Sequence, residues 1–349
     1  MPDAVSLPLP ALHDWALPSH GLKVETIDAH AGGQSLRVIL KGIPPLKGRT
    51  MLECQEYARK HFDHLRRSLL FEPRGYADLY GCLLTPPVTS GSHFGALFLH
   101  RGGFIPMCGH GVIALATVLL ECGLVDLKGP ETLLRIDTPA GRIRAYGEVG
   151  GGQVERVFYE FGAARVVELG LKVEVPGLGL VCCDLAWAGA LFAFVEAGPL
   201  GLSTAAEASG RISEAGTAIR TALQAIVPGS KGKGDAVDEV FFTDRPLKRR
   251  KRSADVRQVG VFADGGLDRS PGGMGICARL AVMRAKEEIG EGTGLTVEGI
   301  TGSTFRGRIV SREPEDGGLI CEIEGQAWIT GQHTFLIAAD DPFRGGFLL

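Results

Sequence analysis

Pro106-Met107-Cys108-Gly109-His110-Gly111 runs into the apolar stretch Val112–Leu120, and Ser270-Pro271-Gly272-Gly273-Met274-Gly275 runs into Ile276–Lys286. These are two versions of one helix start. Aligned on their glycines, they set Cys108 opposite Gly272. Packing alone gives little reason for matching glycine spacings at two helix starts, so the pair reads as an internal duplication. The fold class that follows is α/β, with two pseudo-symmetric halves, each organised round one glycine-started helix, and an active cleft between them.

The flanking sequence alternates strands and helices in both halves. Leu22–Asp28 alternates apolar and polar residues like a strand, Gly32-Gly33 is a turn, and Leu36–Leu40 is its hairpin partner. Thr50–Leu70 carries its apolar residues on one helical face. Tyr80–Leu84 and Phe94–Leu99 read as buried strands, and the Cys108–Cys122 helix ends where Gly123 supplies a C-cap. Leu133–Gly147 and Val154–Phe161 are strands, and Gly179–Val195 holds two more round Trp187-Ala188-Gly189. Ser203–Ile226 reads as a helix capped by Ser203 or Thr204, with Glu207 following. Glu239–Thr243 and Gln258–Ala263 are strands, and the Gly272–Glu288 helix precedes further strands up to Ala338. Residues 1–20 are Pro-rich and irregular. The expected division is residues 1–140, then 141–328, with 329–349 as a separate C-terminal segment.

The bulk numbers suit two ordinary domains. The chain has 349 residues, 45% apolar and 22% charged, with a net charge of −3, so nothing global points to nucleic acid or an anionic membrane. The basic stretch Arg245–Arg252 lacks interleaved aromatics and reads as a solvated hairpin tip rather than a nucleic-acid patch. The eight cysteines include no C-x-x-C pair and no zinc spacing, and most read as small buried hydrophobes. With no signal segment and no bilayer-length apolar run, a cytoplasmic protein with reduced thiols is the expectation.

The chemistry sits at the paired helix starts. The first N–H groups of a helix have no internal partner, and the macrodipole leaves partial positive charge there. A thiol so placed has its pKa lowered and becomes a usable base near neutrality. Gly109 and Gly111 leave the N–H groups open, and Gly273 and Gly275 repeat this in the other half. Together they form a cradle for a small carboxylate. The bland alternative is a core thiol among turn glycines. The duplication favours the base. His110 reads either as a neutral hydrogen-bond partner in the cleft or as a core histidine. Asp268 either pairs with a substrate ammonium or caps the second helix. Tyr80, Phe104 and Trp187 are candidate apolar walls.

These residues resemble the proline racemase superfamily. The resemblance covers nearly the whole chain: Asp28-Ala29-His30-Ala31-Gly32-Gly33, Phe71-Glu72-Pro73-Arg74-Gly75, Met107-Cys108-Gly109-His110, Asp184-Leu185-Ala186-Trp187-Ala188-Gly189, Asp268-Arg269-Ser270-Pro271, Gly325-Gln326-Ala327-Trp328-Ile329-Thr330-Gly331 and Asp340-Asp341-Pro342-Phe343-Arg344-Gly345-Gly346-Phe347. It implies a diaminopimelate epimerase-like fold, no metal or organic cofactor, a small imino-acid substrate, a homodimer, and a C-terminal segment that returns to the first domain. It also implies Cys108 as base at the substrate α-carbon, Gly109, His110, Gly273 and Met274 as backbone hosts of the carboxylate, and Asp268 at the ring nitrogen. In this family the position of Gly272 carries a second Cys in racemases and 4-hydroxyproline epimerases, and Thr in the trans-3-hydroxy-L-proline dehydratase branch. This chain has neither, and its other blocks are most similar to the dehydratase branch.

Two-base racemisation needs a proton acceptor on one face of the α-carbon and a donor on the other, and Gly272 has no side chain to offer. Cys277, five residues further on, lies about one helical turn from the cleft. Elimination is different. In trans-3-hydroxy-L-proline the α-hydrogen and the hydroxyl share a ring face, so Cys108 alone can take the proton and return it to the departing hydroxyl. Cofactor-independent dehydration to pyrroline-2-carboxylate is therefore the expected activity. Proline racemisation or 4-hydroxyproline 2-epimerisation is the first alternative, and a non-catalytic imino-acid binding protein is the second.

Overall fold

The computed structural model describes residues 17–227, 236–244, 254–312 and 318–349. The basic stretch Arg245–Arg252 and most of the Pro-rich start lie outside these residues. The first half comprises β1 (Leu22–Ala31), β2 (Gln34–Lys41), α1 (Met51–Leu70), β3 (Tyr80–Thr85), β4 (Phe94–His100), β5 (Gly103–Ile105), α2 (Gly109–Glu121), β6 (Glu131–Thr138) and β7 (Gly141–Gly150). Then follow β8 (Gln153–Val175), β9 (Gly179–Trp187), β10 (Leu191–Glu196), α3 (Ser209–Ile226), β11 (Val237–Asp244), β12 (Val256–Phe262), α4 (Gly273–Ala285), β13 (Gly294–Glu298), β14 (Thr304–Arg312), β15 (Leu319–Gly325) and β16 (Ala327–Ile337).

Among the described residues the strands form one continuous sheet that runs from β15 back to β8, on through β7 to β1, and ends at β16. β15 also pairs with β8, so the strands β8 to β15 close into a ring. The ring wraps α4, and the strands of the first half wrap α2. This is the expected α/β arrangement of two pseudo-symmetric halves. A helix that is apolar on all sides can satisfy every face only from inside. Every residue of α2 from Gly109 to Leu120 is buried, and α4 buries Ile276, Cys277, Ala278, Leu280, Ala281 and Val282. The outer helices are amphipathic. α1 carries a capping Thr50, whose side chain accepts the Glu53 N–H at 3.1 Å, a contact worth about 1 kcal/mol.

The two halves are tied where their ends meet. β16 pairs antiparallel with β1, and the backbone of Phe347 exchanges hydrogen bonds with that of Glu72. Arg74 pairs with Asp341 beyond β16. Arg37 anchors the junction from inside: it binds both oxygens of Asp28 and donates to the carbonyls of Leu69 and Arg74, each at 2.6 Å.

Two sequence expectations change. α3 begins at Ser209, and neither Ser203 nor Thr204 caps it; the Ser203 hydroxyl accepts from the Ala205 N–H in the preceding turn. The expected strand Leu133–Gly147 is a hairpin, broken where Gly141 turns the chain at φ +109°. Cys122 and Cys182 are exposed, while the other six cysteines are buried as expected. Among the described residues no helix is long and apolar enough to cross a membrane.

Candidate active site

The N-termini of α2 and α4 meet head to head. Built onto Gly109, a Cβ would lie 3.1 Å from Gly273 Cα and from Met274 N; built onto Gly273, it would lie 3.3 Å from Gly109 Cα. The glycines are what allow this approach. Neither helix has a side-chain cap, with Cys108 at the N-cap of one and Gly272 at the N-cap of the other. A buried helix end without a cap leaves donors unsatisfied. Two such ends, with their positive dipole poles aimed into one cleft, suit an anion the size of a carboxylate.

A cavity of about 140 Å3 opens at this junction. Cys108, Gly109, His110, Asp268, Gly272, Gly273 and Met274, distant in the chain, all line it. Tyr80 lines it as well. Phe104 and Trp187 do not: Phe104 packs under α1, and Trp187 packs in the α3 layer, where Arg165 lies over its ring. The aromatic walls beside Tyr80 are instead Phe192 and Phe262. Sequence reading also missed Asp238 and Glu239, which line the cavity from β11. An acidic pair at the start of a strand looks like an exposed edge. Only the sheet packing shows that Glu239 is buried.

Asp268 is buried, and its role at the second helix start is indirect. Its Oδ1 accepts the Ser270 N–H and hydroxyl, each at 2.8 Å, and the Ser270 hydroxyl oxygen accepts the Gly272 N–H at 3.1 Å. Asp268 thus fixes the turn that starts α4 and still faces the cavity. Burial raises its carboxyl to about 6, against the pull of the Ser270 hydrogen bonds.

Cys108 Sγ lies 3.5 Å from both ring nitrogens of His110. Burial lowers His110 to about 3, so the imidazole is neutral. Whether the neutral ring donates to the sulfur or accepts from it depends on its tautomer. Its edge packs on Tyr80 at 4.8 Å between ring centroids. Cys108 itself corrects one expectation. Burial pushes the thiol well above its ordinary value, and the Gly111 N–H pulls only partly the other way. Burial therefore favours the thiol over a standing thiolate. Positive charge brought close to the thiol in a dry cavity would favour its anion.

Cys277 is buried, does not line the cavity, and is contacted through its carbonyl by Cys321. It is not placed to act on a ligand there. Two ion pairs join the halves beside the cleft, Arg269 to Asp78 at 2.8 Å and Arg101 to Asp264. Among the described residues no group of three or more His, Cys, Asp or Glu side chains is placed to hold a metal ion.

A family model described as proline racemase matches residues 26–348. The chain belongs to the proline racemase family. It is 37% identical over 337 residues to a trans-3-hydroxy-L-proline dehydratase of Colwellia psychrerythraea, covering 94% of this chain and 93% of that one. It is 34% identical to a proline racemase of Clostridioides difficile, covering 93% of this chain and 98% of the relative. Among solved structures, a hydroxyproline epimerase from Agrobacterium vitis with bound trans-4-hydroxy-L-proline superposes with a TM-score of 0.86 at 26% identity, covering 95% of this chain and 96% of that one. The family holds both dehydratases and isomerases, so membership makes this chain an enzyme related to proline and hydroxyproline chemistry and leaves the choice of reaction to the site.

Proposed function

We propose that the protein dehydrates trans-3-hydroxy-L-proline to pyrroline-2-carboxylate without a cofactor, with Cys108 as its base. The observation that carries this reading is the asymmetry of the joined helix starts: a thiol at one, and at the other Gly272 with no side chain. The substrate carboxylate sits between the N–H groups of Gly109 and His110 and those of Gly273 and Met274, which also stabilise charge that builds up at the α-carbon. Asp268, as a carboxylate, pairs with the ring ammonium. Cys108 takes the α-proton, the electron pair forms the ring double bond, and the hydroxyl leaves from the same face. The thiol just formed is on that face and protonates the departing oxygen. Water and an enamine result, and the enamine tautomerises to the pyrroline. The setting that goes with this chemistry is a reducing cytoplasm, in which Cys108 stays a thiol.

A proton NMR time course in deuterium oxide with trans-3-hydroxy-L-proline, trans-4-hydroxy-L-proline and L-proline tests the reading. The 3-hydroxy compound is expected to disappear as a pyrroline carboxylate grows in. Inversion of the other two without dehydration would hand the site to the epimerase reading, which the racemase and epimerase relatives keep in view.

The pH profile follows from Asp268 and Cys108. A carboxyl raised to about 6 loses its charge as the pH falls through that value, well before an ordinary aspartate would. With the Cys108 thiol raised, kcat/KM is expected to rise about tenfold per pH unit above 6 as the thiol ionises, and to fall more steeply, about a hundredfold per unit, below 6, where Asp268 loses its charge as well. A slope that stays at about tenfold per unit from pH 7 down to pH 5, with no steepening near 6 at low substrate, would remove Asp268 from the ammonium site.

A further inference from the structure

Glu239 has no part in the reaction as written, yet it lies in the wall of the same cavity. It stands on β11 opposite Phe262 of β12 and is 5% exposed. Its Oε1 is fully buried and has no hydrogen-bond partner. The fold makes room for it. Gly260 is the residue of β12 opposite Phe241, and a Cβ there would overlap Glu239 Oε1. Burial, with Asp268 and Asp238 nearby, pushes the Glu239 carboxyl well above the usual carboxylate range and so favours its neutral acid form, which has one O–H to give.

Leaving a buried polar group unpaired is destabilising, a penalty that a leucine in the same place would avoid. The aromatic residues beside it, Tyr80, Phe192 and Phe262, make the rest of this wall largely apolar. In an imino acid seated as above, the carboxylate is taken by the helix starts and the ammonium by Asp268. Only the ring is left for Glu239. A bare ring offers C–H groups and leaves the acid unpaired. A ring hydroxyl offers both a lone pair and an O–H. We propose that Glu239 recognises a hydroxyl on the substrate ring and makes this pocket select hydroxylated imino acids over proline. The inference rests on the reading of the cavity as an imino-acid site.

Binding separates this from the chemistry. In a Cys108→Ala protein, which is expected to consume its ligand far more slowly, calorimetry with trans-3-hydroxy-L-proline and with L-proline is expected to give a preference for the hydroxylated ring on the order of a hundredfold or more, because sites built to hydrogen-bond a hydroxyl reject analogues that lack it. Adding Glu239→Leu is expected to shrink that ratio to about threefold or less, with proline bound as tightly as before or more tightly, and Glu239→Gln, which can still hydrogen-bond, to keep most of it. Equal binding of the two ligands by the Cys108→Ala protein would overturn the proposal without any change at residue 239, so the test survives a Leu variant that does not fold. A preference that persists through Glu239→Leu would also overturn it. If the preference depends on Glu239 and yet the unaltered enzyme forms no pyrroline carboxylate, the dehydratase reading fails and the role of Glu239 stands.

Discussion

Cys108→Ala is expected to lower kcat/KM on trans-3-hydroxy-L-proline by about two to four powers of ten, the range for removing a positioned general base. The loss should be at the high end, because no other side chain of suitable basicity stands ready at the α-carbon. His110 is held neutral near 3, and Cys277 is buried away from the cavity. Cys108→Ser keeps the shape of the thiol but raises the pKa of the group, so it is expected to be nearly as inactive. Far-ultraviolet circular dichroism and the unfolding midpoint should stay close to those of the unaltered protein, since Cys108 is the N-cap residue of α2 and lies outside its helical turns. The check is a steady-state assay that follows pyrroline formation, with α-hydrogen exchange in deuterium oxide read alongside it. If Cys108→Ser keeps full turnover, Cys108 is not the base and the proposed mechanism is wrong.

Gly272→Cys is the change that would seem to rebuild a two-thiol racemase, and it is expected to fail for structural reasons. Gly272 sits at φ +78°, where a side chain is strained, and a Cβ there would lie 2.7 Å from Phe241 Cε1 and 2.9 Å from its Cζ. Phe241 is fully buried and cannot move aside cheaply. Backbone strain and overpacking together are expected to cost about 2–5 kcal/mol. Denaturant unfolding measures that loss, and a chiral assay of L-proline is expected to show no gain in inversion. A Gly272→Cys protein as stable as its parent that interconverts the two prolines would show that the second-base position is still open. The missing cysteine is therefore built into the packing: Phe241 lies against the place its side chain would need. That supports a one-thiol reaction for this chain more strongly than the bare substitution does.

Most of the architecture could be read from local pattern. A helix that is apolar on every side, as Val112–Leu120 is, can only be central, and strand alternation and turn glycines located most of the strands to within a few residues. Repeated glycine spacing announced the duplication because close approach of two helix starts tolerates nothing larger than hydrogen at Gly109 and Gly273. Cys108, His110 and Asp268 were legible for the same reason: each sits beside a motif whose chemistry is local. The start of α3 was misread because a serine, a threonine and a following glutamate resemble a cap, whereas a short 3-10 turn, Ala206–Ala208, comes first. What only the tertiary structure decided depends on residues brought together from far along the chain. It placed Glu239 in the cavity wall through the pairing of β11 with β12, moved the aromatic walls to Phe192 and Phe262, and set Phe241 against Gly272. It also reversed the expected state of the Cys108 thiol. A helix start favours a thiolate, but desolvation by a closed core outweighs it, and the depth of burial is a property of the folded whole that no local run of residues contains.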